Sequence, residues 1–316
     1  MSDPREPMDP QVKQLFDLMR AARPAKRTLE AGAMRAEMAA FSALLNADAP
    51  AVESEDELRI PGPKGQPVRV RVFRPPGSGA KKPVLVYLHG GGWVILSPET
   101  HAKLTKQLCI GAGAVVVSVD YRLAPEHPYP AALDDCVAAF RWVRENAARI
   151  GGDGRRVLLG GDSAGGNLTA ATTLRLLAGA ERPPTATLMI CPVTDLELAL
   201  ESPSARRFGP GDPILDDVAM RFFCESYAPR ASWQSPFVSP LRGDVSKFPP
   251  TCVVLGTIDP LHDDGAAFAT KLSGAGREIA VLSYPGMPHD FLLFPGLDAA
   301  AKSLEEMSGF LRAHMQ

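Results

Sequence analysis

The most constraining feature of the sequence is an alternation of short apolar segments with amphipathic ones from residue 83 onward. One apolar run, Val115-Val116-Val117, offers no polar side chain to either face of a strand, which is typical of strands covered by helices on both sides. The alternation predicts an α/β fold with a mostly parallel sheet flanked by helices. The predicted strands are Val84–Leu88, Ala114–Val119, Val157–Gly160, Ala186–Cys191, Cys252–Gly256 and Ile279–Tyr284. The predicted helices lie at about 100–112, 131–149, 164–179, 263–275 and 298–314.

Two further helices are predicted ahead of this alternation. Asp9 and Pro10 suit an N-cap and the first helical position, and Pro24 ends the helix that follows. A second helix is predicted from Thr28. The apolar faces consist of Val12, Leu15, Phe16 and Met19 in the first helix and of Met34, Met38, Phe41 and Leu45 in the second.

Two segments do not fit the alternation of strand and helix. Valines alternate with arginines in Val68–Phe73, which together with Glu57–Ile60 predicts an antiparallel hairpin with one wet face. The interval 196–247 contains many prolines and one predicted helix, Leu215–Tyr227. We interpret this interval as an insertion into the α/β domain.

Charge and apolar length exclude several classes of function. The 316 residues include 34 Lys and Arg against 36 Asp and Glu, without a basic run, so we expect neither nucleic acid nor an anionic membrane surface as a partner. The longest apolar stretch, 110–119, is far shorter than the roughly 20 residues that span a bilayer. The charged N-terminus does not fit a secretory signal, which predicts a cytoplasmic protein.

The five cysteines are expected to be buried thiols, and their spacing does not predict a metal site. They are odd in number, widely spaced, and lack the C-x-x-C or His-rich spacing of metal sites. They are Cys109, Cys136, Cys191, Cys224 and Cys252.

The motif GDSAG at 161–165 matches the G-x-S-x-G pattern of a nucleophile elbow, with Ser163 as the candidate nucleophile. The match alone is weak, because an ordinary glycine-rich turn has the same composition. Its context is more specific, since an apolar strand precedes it and a helix follows. The glycines suit a sharp turn that leaves no room for side chains beside the serine.

A second motif, HGGGW at 89–93, directly follows the strand Val84–Leu88. Three successive glycines let the backbone approach a ligand with its N–H groups outward, as an oxyanion hole requires. An HGGG loop has this role in the α/β-hydrolase template, although a merely flexible loop is the alternative. The candidate oxyanion donors are the N–H groups of Gly91, Gly92 and Ala164.

A nucleophilic serine also needs a base, which in this template comes last in the order Ser, Asp, His. His289 stands on a loop after the strand Ile279–Tyr284, at the edge of the sheet where sites of α/β folds assemble. His262 and His314 lie on predicted helices instead. We therefore predict His289 as the base.

Asp259 is the candidate carboxylate, because it follows the strand Cys252–Gly256 at the same edge of the sheet. An alternative is that Asp259 and Pro260 cap the next helix, a role that Asp263 or Asp264 would also suit.

Five segments together resemble the hormone-sensitive lipase family of α/β-hydrolases, in its GDSAG subgroup, the bacterial family IV carboxylesterases. They are YLHGGGW at 87–93, DYRLAPEHPYPA at 120–131, GDSAGGN at 161–167, and DPL at 259–261 with GMPH at 286–289. The resemblance runs from about residue 83 to the C-terminus. It implies an α/β-hydrolase fold with residues 1–50 as an N-terminal helical cap, residues 51–316 as the catalytic domain, and a second cap element within 196–247.

The resemblance also implies cofactor-free hydrolysis of short- and medium-chain carboxylic esters, with a small molecule as the substrate. An amidase or a thioesterase is an alternative on the same triad. A non-catalytic binding protein is another, since the family also resembles plant hormone receptors that lost the catalytic histidine, but His289 is present here. The oligomeric state stays open, and an exposed last strand and C-terminal helix would permit a homodimer.

Three residues depart from the commonest pattern of the family. His262 and Asp264 stand where Arg and Glu are usual, and Asp290 follows His289 where a small residue is usual. A carboxylate beside a histidine stabilises the protonated ring, so we expect Asp290 to affect the pH dependence of activity. We assign no chemistry to 120–131, where ion pairs of Arg122 and Glu126 are expected to brace the loops.

Overall fold

A computed structural model describes residues 7–22, 29–77 and 81–315, which form eight strands and ten α-helices. The strands are β1 (Ser54–Pro61), β2 (Pro67–Arg74), β3 (Lys82–Leu88), β4 (Val115–Asp120), β5 (Gly152–Asp162), β6 (Thr187–Ile190), β7 (Thr251–Gly256) and β8 (Ile279–Tyr284). The helices are α1 (Pro10–Ala22), α2 (Ala31–Leu45), α3 (Ala102–Ala112), α4 (Ala131–Asn146), α5 (Ala164–Ala178), α6 (Leu198–Glu201), α7 (Pro203–Phe208), α8 (Asp217–Tyr227), α9 (His262–Gly274) and α10 (Asp298–Ala313).

All eight strands form one sheet in the order β1-β2-β4-β3-β5-β6-β7-β8. Strands β1 and β2 pair antiparallel, and β2 also runs antiparallel to β4. The other pairs, from β4 through β3 and β5 to β8, are parallel. The predicted hairpin and the predicted mostly parallel sheet are both confirmed.

The parallel topology decides where the candidate functional side chains lie. Parallel strands present their carboxyl ends at one edge of the sheet, where sites of open α/β folds assemble. Strand β3 ends directly before the HGGGW loop, β5 ends directly before Ser163, and the loops after β7 and β8 carry Asp259 and His289.

Helix α1 packs beside the loop that carries His289. It begins at Pro10 as predicted, and the Gln11 N–H donates to Asp9 Oδ1 at 2.8 Å. Val12 and Phe16 are buried in one cluster with Tyr284 and other residues at the end of β8. The predicted helix stop at Pro24 lies outside the described residues.

Helix α2 begins at Ala31, three residues after the predicted start at Thr28, which lies outside the described residues. The N–H groups of Gly32 and Ala33 donate to the Glu30 carboxylate at 2.9 and 2.7 Å, so Glu30 is the N-cap. Met34 is buried, but Phe41 is 43% exposed. The predicted apolar stripe therefore faces the core only in the first half of the helix.

The insertion at 196–247 contains α6, α7 and α8, and α8 covers the HGGGW loop. It begins near the predicted position, where the Ala219 N–H donates to Asp216 Oδ1 at 2.7 Å. The rings of Tyr227 and Trp93 stack with their centroids 4.2 Å apart. Within the described ranges, we find no helix with both the length and the apolar composition to cross a bilayer.

Candidate active site

Ser163 occupies the sharp turn between β5 and α5, with φ +51° and ψ −115°. Such a backbone conformation is strained for a residue with a side chain, and it persists only where the surroundings impose it. The Ser163 N–H donates to the carbonyl of Ile190 at 2.8 Å. A Cβ added at Gly161 or at Gly165 would overlap the carbonyl oxygen of Leu88. The two glycines of the motif are therefore required by the close approach of β3, as expected for a nucleophile elbow.

Two hydrogen bonds join Ser163, His289 and Asp259. The Ser163 Oγ lies 2.9 Å from His289 Nε2, and His289 Nδ1 lies 2.9 Å from Asp259 Oδ2. All three side chains are buried. The helix-capping alternative for Asp259 is wrong, because the N-cap of α9 is Leu261; the other oxygen of Asp259, Oδ1, accepts from the Leu261 N–H at 2.7 Å in the turn before the helix. The structure brings the predicted triad together, and the catalytic role of each residue stays a prediction.

The electrostatic surroundings favour a protonated His289. Burial alone lowers the pKa of this histidine, since it penalises the charged ring. The negative charges of Asp259 and Asp290, together with hydrogen bonds to both, outweigh burial and hold the pKa of His289 well above its usual value. The ring is therefore a stronger base than a free histidine.

The HGGGW loop is a tight turn next to Ser163, in which Gly91 has φ +100° and Gly92 φ +59°. The Gly91 carbonyl accepts from the N–H groups of Val94 and Ile95 at 3.0 and 2.9 Å. A Cβ added at Gly92 would overlap the Phe223 ring of α8, so α8 packs directly on this loop.

Ala164 is the first residue of α5, so its N–H has no acceptor within the helix and lies beside the nucleophile. The oxyanion role of Gly91, Gly92 and Ala164 stays a prediction that these positions suit.

Arg35 of α2 braces the HGGGW loop from outside. Its guanidinium donates to the carbonyl oxygens of Val94 and Ala124 at 2.7 and 2.8 Å and forms a two-pronged ion pair with Glu126. Arg122 likewise pairs with Asp135. The predicted ion pairs of Arg122 and Glu126 are confirmed.

A buried polar network beneath the elbow was not predicted. Asp162 precedes Ser163 and accepts from the Tyr87 hydroxyl at 2.6 Å, while its second oxygen lies 3.0 Å from His101 Nε2. Burial raises the pKa of Asp162, but His101 and Tyr87 outweigh it, and the pKa of the carboxyl is lowered. The aspartate of the GDSAG motif could have indicated a buried carboxylate at this position, although no sequence pattern identified Tyr87 and His101 as its partners.

Asp212 is a second buried carboxylate that sequence reasoning missed. It lies on the insertion, where its Oδ1 accepts from the N–H groups of Ile214 and Leu215 at 2.8 and 2.7 Å. Burial raises its pKa to about 6, with a further contribution from the charge of Asp259. Only the tertiary fold brings this carboxylate near Asp259 and His289.

The other candidate histidines and carboxylates lie outside the triad. His262 contacts Asp263, and His314 contacts Glu278. Asp264 accepts from the Thr194 N–H at 2.8 Å, and burial raises its pKa to about 7.

The five cysteines are buried free thiols, as predicted. One of them, Cys191, lies within 4.8 Å of ligand atoms of Asp259 and His289, the only such cluster of three among residues 7–22, 29–77 and 81–315. Both nitrogens of His289 already face triad partners, so we assign these two residues to the triad.

A serine–histidine–aspartate chain after β5, β8 and β7, beside a glycine-rich loop after β3, defines an α/β-hydrolase. A family model described as the alpha/beta hydrolase fold matches residues 85–293. The chain belongs to the hormone-sensitive lipase family of α/β-hydrolases.

Similar proteins include carboxylesterase NlhH of Mycobacterium tuberculosis, 40% identical over 72% of each chain. The ethyl acetate hydrolase of Pseudomonas putida is 35% identical over 90% of this chain and 92% of its own. The solved structure of a hyperthermophilic esterase from Pyrobaculum calidifontis superposes with a TM-score of 0.91 at 33% identity, covering 97% of this chain and 98% of that one.

Proposed function

We propose that this protein is a carboxylesterase that hydrolyses short- to medium-chain carboxylic esters by two-step acyl transfer. The observation that carries the proposal is the hydrogen-bonded chain from Ser163 through His289 to Asp259, with 2.9 Å at each step. The names of the similar proteins, a carboxylesterase and an ethyl acetate hydrolase among them, support ester hydrolysis as the reaction.

In the first step, Ser163 Oγ attacks the ester carbonyl while His289 Nε2 takes the hydroxyl proton. The N–H groups of Gly91, Gly92 and Ala164 stabilise the oxyanion that develops on the carbonyl oxygen. Asp259 holds Nδ1 and stabilises the imidazolium. His289 then donates its proton to the leaving alcohol, which leaves an acyl group on Ser163.

In the second step, water attacks the acyl group. His289 removes a proton from that water, and the tetrahedral intermediate collapses to release the acid and to restore the Ser163 hydroxyl. No step requires a metal or an organic cofactor. Loss of His289 would leave a binding protein, so the contact between His289 and Ser163 favours the enzyme over the non-catalytic alternative.

Amides and thioesters are the competing substrate classes, since the same triad attacks both. A matched set of p-nitrophenyl butyrate, butyryl p-nitroanilide and a butyryl thioester tests the choice with one acyl group. We expect kcat/KM to be highest for the oxygen ester. Faster turnover of the anilide would show that the protein is an amidase, and faster turnover of the thioester would show that it is a thioesterase.

The cap is part of the proposal, with the described parts of residues 1–50 and the insertion 196–247 covering the edge of the sheet that holds the triad. Two observations support this arrangement. A Cβ added at Gly92 would overlap Phe223, and Arg35 contacts the HGGGW loop. A closed cap excludes water and strengthens the hydrogen bonds to the oxyanion.

Location and assembly are further parts of the proposal. We place the protein in the cytoplasm, because cysteine is ordinarily a free thiol there and all five cysteines of this chain are free thiols. Its partners are small esters and not nucleic acid, in keeping with a net charge of −2. A homodimer through β8 and α10 is supported by the 47% exposure of Val281 on this edge strand, and light scattering at two concentrations tests it.

A further inference from the structure

Asp290, the residue after the proposed base, directs its carboxylate at the nitrogen that the mechanism uses. Its Oδ2 lies 3.2 Å from His289 Nε2, the same atom that lies 2.9 Å from Ser163 Oγ. Asp290 is buried, and its Oδ1 has no hydrogen-bond partner among the described residues. Its backbone has φ +46°, a left-handed conformation that is uncommon for residues other than glycine. The local fold therefore holds a buried carboxylate against the working nitrogen.

The protonation state of Nε2 decides whether that contact is favourable. In the resting triad, Nδ1–H donates to Asp259, and the lone pair of Nε2 accepts from the Ser163 hydroxyl. An ionised Asp290 oxygen repels that lone pair. Once Nε2 carries a proton, the same oxygen accepts a charge-assisted hydrogen bond from it.

We propose that Asp290 is a positioning residue that stabilises the proton on His289 Nε2 and so sets the pH at which the esterase becomes active. The inference rests on the proposed function, because it concerns the base of that reaction. It adds a second carboxylate to the triad, on the opposite nitrogen from Asp259. Both effects of Asp290 follow from the same charge. In the free enzyme, the negative charge of Asp290 makes the protonated His289 ring harder to deprotonate. During the reaction, the same charge stabilises the imidazolium that forms when Ser163 attacks.

Other groups around the ring do not replace Asp290. Asp259 occupies Nδ1, and the charge of Asp162 is held by His101 and Tyr87. Asp212 turns its Oδ1 to backbone N–H groups of the insertion. Burial and the charge of Asp259 raise the pKa of the Cys191 thiol to about 12, which leaves that thiol neutral. Burial raises the pKa of Asp290, the charge of a protonated His289 opposes that effect, and the contact with the protonated ring therefore favours the ionised carboxylate.

The sign of the effect follows from the removal of that charge. Without the carboxylate, His289 loses its proton at lower pH, so the acid limb of kcat/KM moves to lower pH. An opposite charge in direct contact shifts a pKa by about 1 to 3 units, and we expect a shift of about one. A weaker base also transfers protons more slowly, so we expect the alkaline plateau to fall about threefold. The two profiles therefore cross, with the variant faster at low pH and slower at high pH.

The test is the pH profile of kcat/KM from pH 5 to 9.5 on p-nitrophenyl butyrate for Asp290→Asn, Asp290→Gly and Asp212→Asn. Asp290→Asn keeps the shape and removes the charge, and glycine suits the φ of +46°, so at least one of the two is expected to fold. Asp212→Asn is the matched control, since it removes a buried carboxylate that does not contact the ring. We expect it to move the limb by no more than about 0.3 unit.

Crossing profiles in both Asp290 variants would support the proposal, and if only one folds, its profile decides. An unshifted acid limb with a uniformly lower rate would overturn it and leave Asp290 a structural role. A shift in a folded glycine variant but not in a folded asparagine variant would also overturn it, because loosening of the loop and not charge would be the cause. An equal shift in Asp212→Asn would overturn it too. A wild-type protein without ester turnover would instead refute the proposed function itself.

Discussion

Ser163, Asp259 and His289 each stand within five residues of the carboxyl end of a parallel strand. The short connections leave each side chain little freedom, because the strand fixes one end of the loop. The cost of this order is visible at Ser163, whose φ of +51° is imposed by neighbouring backbone. Some residues in this region therefore have a chemical role and others a packing role, and substitutions distinguish the two kinds of residue.

Replacement Ser163→Ala removes only the hydroxyl. We expect kcat/KM for p-nitrophenyl butyrate to fall on the order of 10⁴-fold, because the variant lacks the hydroxyl that lies 2.9 Å from His289 Nε2 and that the proposed mechanism uses as the nucleophile. The midpoint of thermal unfolding should stay within about 3 °C of wild type, since the change is small. Turnover within tenfold of wild type would show that another residue is the nucleophile.

Gly165→Ala tests packing at the elbow. An added Cβ would overlap the carbonyl oxygen of Leu88, a backbone atom that cannot rotate away. We expect a loss of about 3 kcal/mol or more in the free energy of unfolding, measured with urea. Gly274→Ala, at the end of α9, is the matched control, because nothing lies within 4 Å of its added Cβ, and we expect it to be neutral or slightly stabilising. Equal stability of the two variants would contradict the crowding at the elbow.

At the scale of elements, two helices from distant parts of the chain meet on one loop. Helix α2 contributes Arg35 to the outside of the HGGGW loop, and α8 contributes Phe223 against Gly92. The glycines make this loop pliable, so its shape depends on the elements packed around it. Changes in α2 should therefore affect catalysis more than they affect the stability of the sheet.

Arg35→Ala tests that dependence. It removes the hydrogen bonds to the carbonyls of Val94 and Ala124, so we expect kcat to fall about tenfold as the proposed oxyanion donors lose their alignment. Arg141→Ala is the control, because Arg141 of α4 makes a similar two-pronged ion pair with Glu181. Surface ion pairs contribute roughly 0–1 kcal/mol, so the two variants should lose similar, small amounts of stability. Similar kcat values for both would mean that Arg35 does not support the loop.

At the scale of the whole molecule, we expect the proposed cap to limit the size of the substrate. Its longest described helix is the 15-residue α2, and the insertion supplies helices of 4, 6 and 11 residues. Elements of this size can close a short pocket over the sheet edge. They do not provide a long apolar lid that would open onto a lipid surface.

Acyl chain length tests this limit. Each buried methylene contributes about 0.8 kcal/mol, so kcat/KM should rise about fourfold per carbon from acetyl to butyryl or hexanoyl p-nitrophenyl esters. Longer chains gain nothing beyond the end of the pocket and lose conformational entropy. We expect slow turnover of the palmitoyl ester and no increase when the substrate forms an emulsion. A maximum at C16, or activation at the emulsion surface, would identify a true lipase.

Chelators and reductants test the whole molecule for hidden dependence on metal or disulfides. All five cysteines are free and buried, and both ring nitrogens of His289 face residues of the triad. Activity should therefore be unchanged after dialysis against EDTA and after treatment with dithiothreitol. Inactivation by EDTA that added zinc reverses would reveal a metal site, and inactivation by dithiothreitol would reveal a disulfide.

Local patterns in the sequence determined the sheet and the triad. Strand β8 has its predicted bounds, since turn residues flank its apolar run on both sides. Strand β5 begins five residues earlier than predicted. The charged residues Arg155 and Arg156 interrupt the apolar pattern there, and the pairing of this segment with β3 depends on the fold. The triad was predictable because a strand end, a short loop and a catalytic residue type are consecutive in sequence.

The tertiary structure alone decided the surroundings of the triad. The anchoring of Asp162 by Tyr87 and His101, the nearness of Asp212 and the bracing by Arg35 join residues that lie far apart along the chain. No local pattern encodes such contacts, because they depend on how strands and cap pack. Asp290 depends on both the sequence and the tertiary structure. The sequence alone places it next to His289. Which ring nitrogen its carboxylate contacts was decided by the backbone conformation of the folded loop.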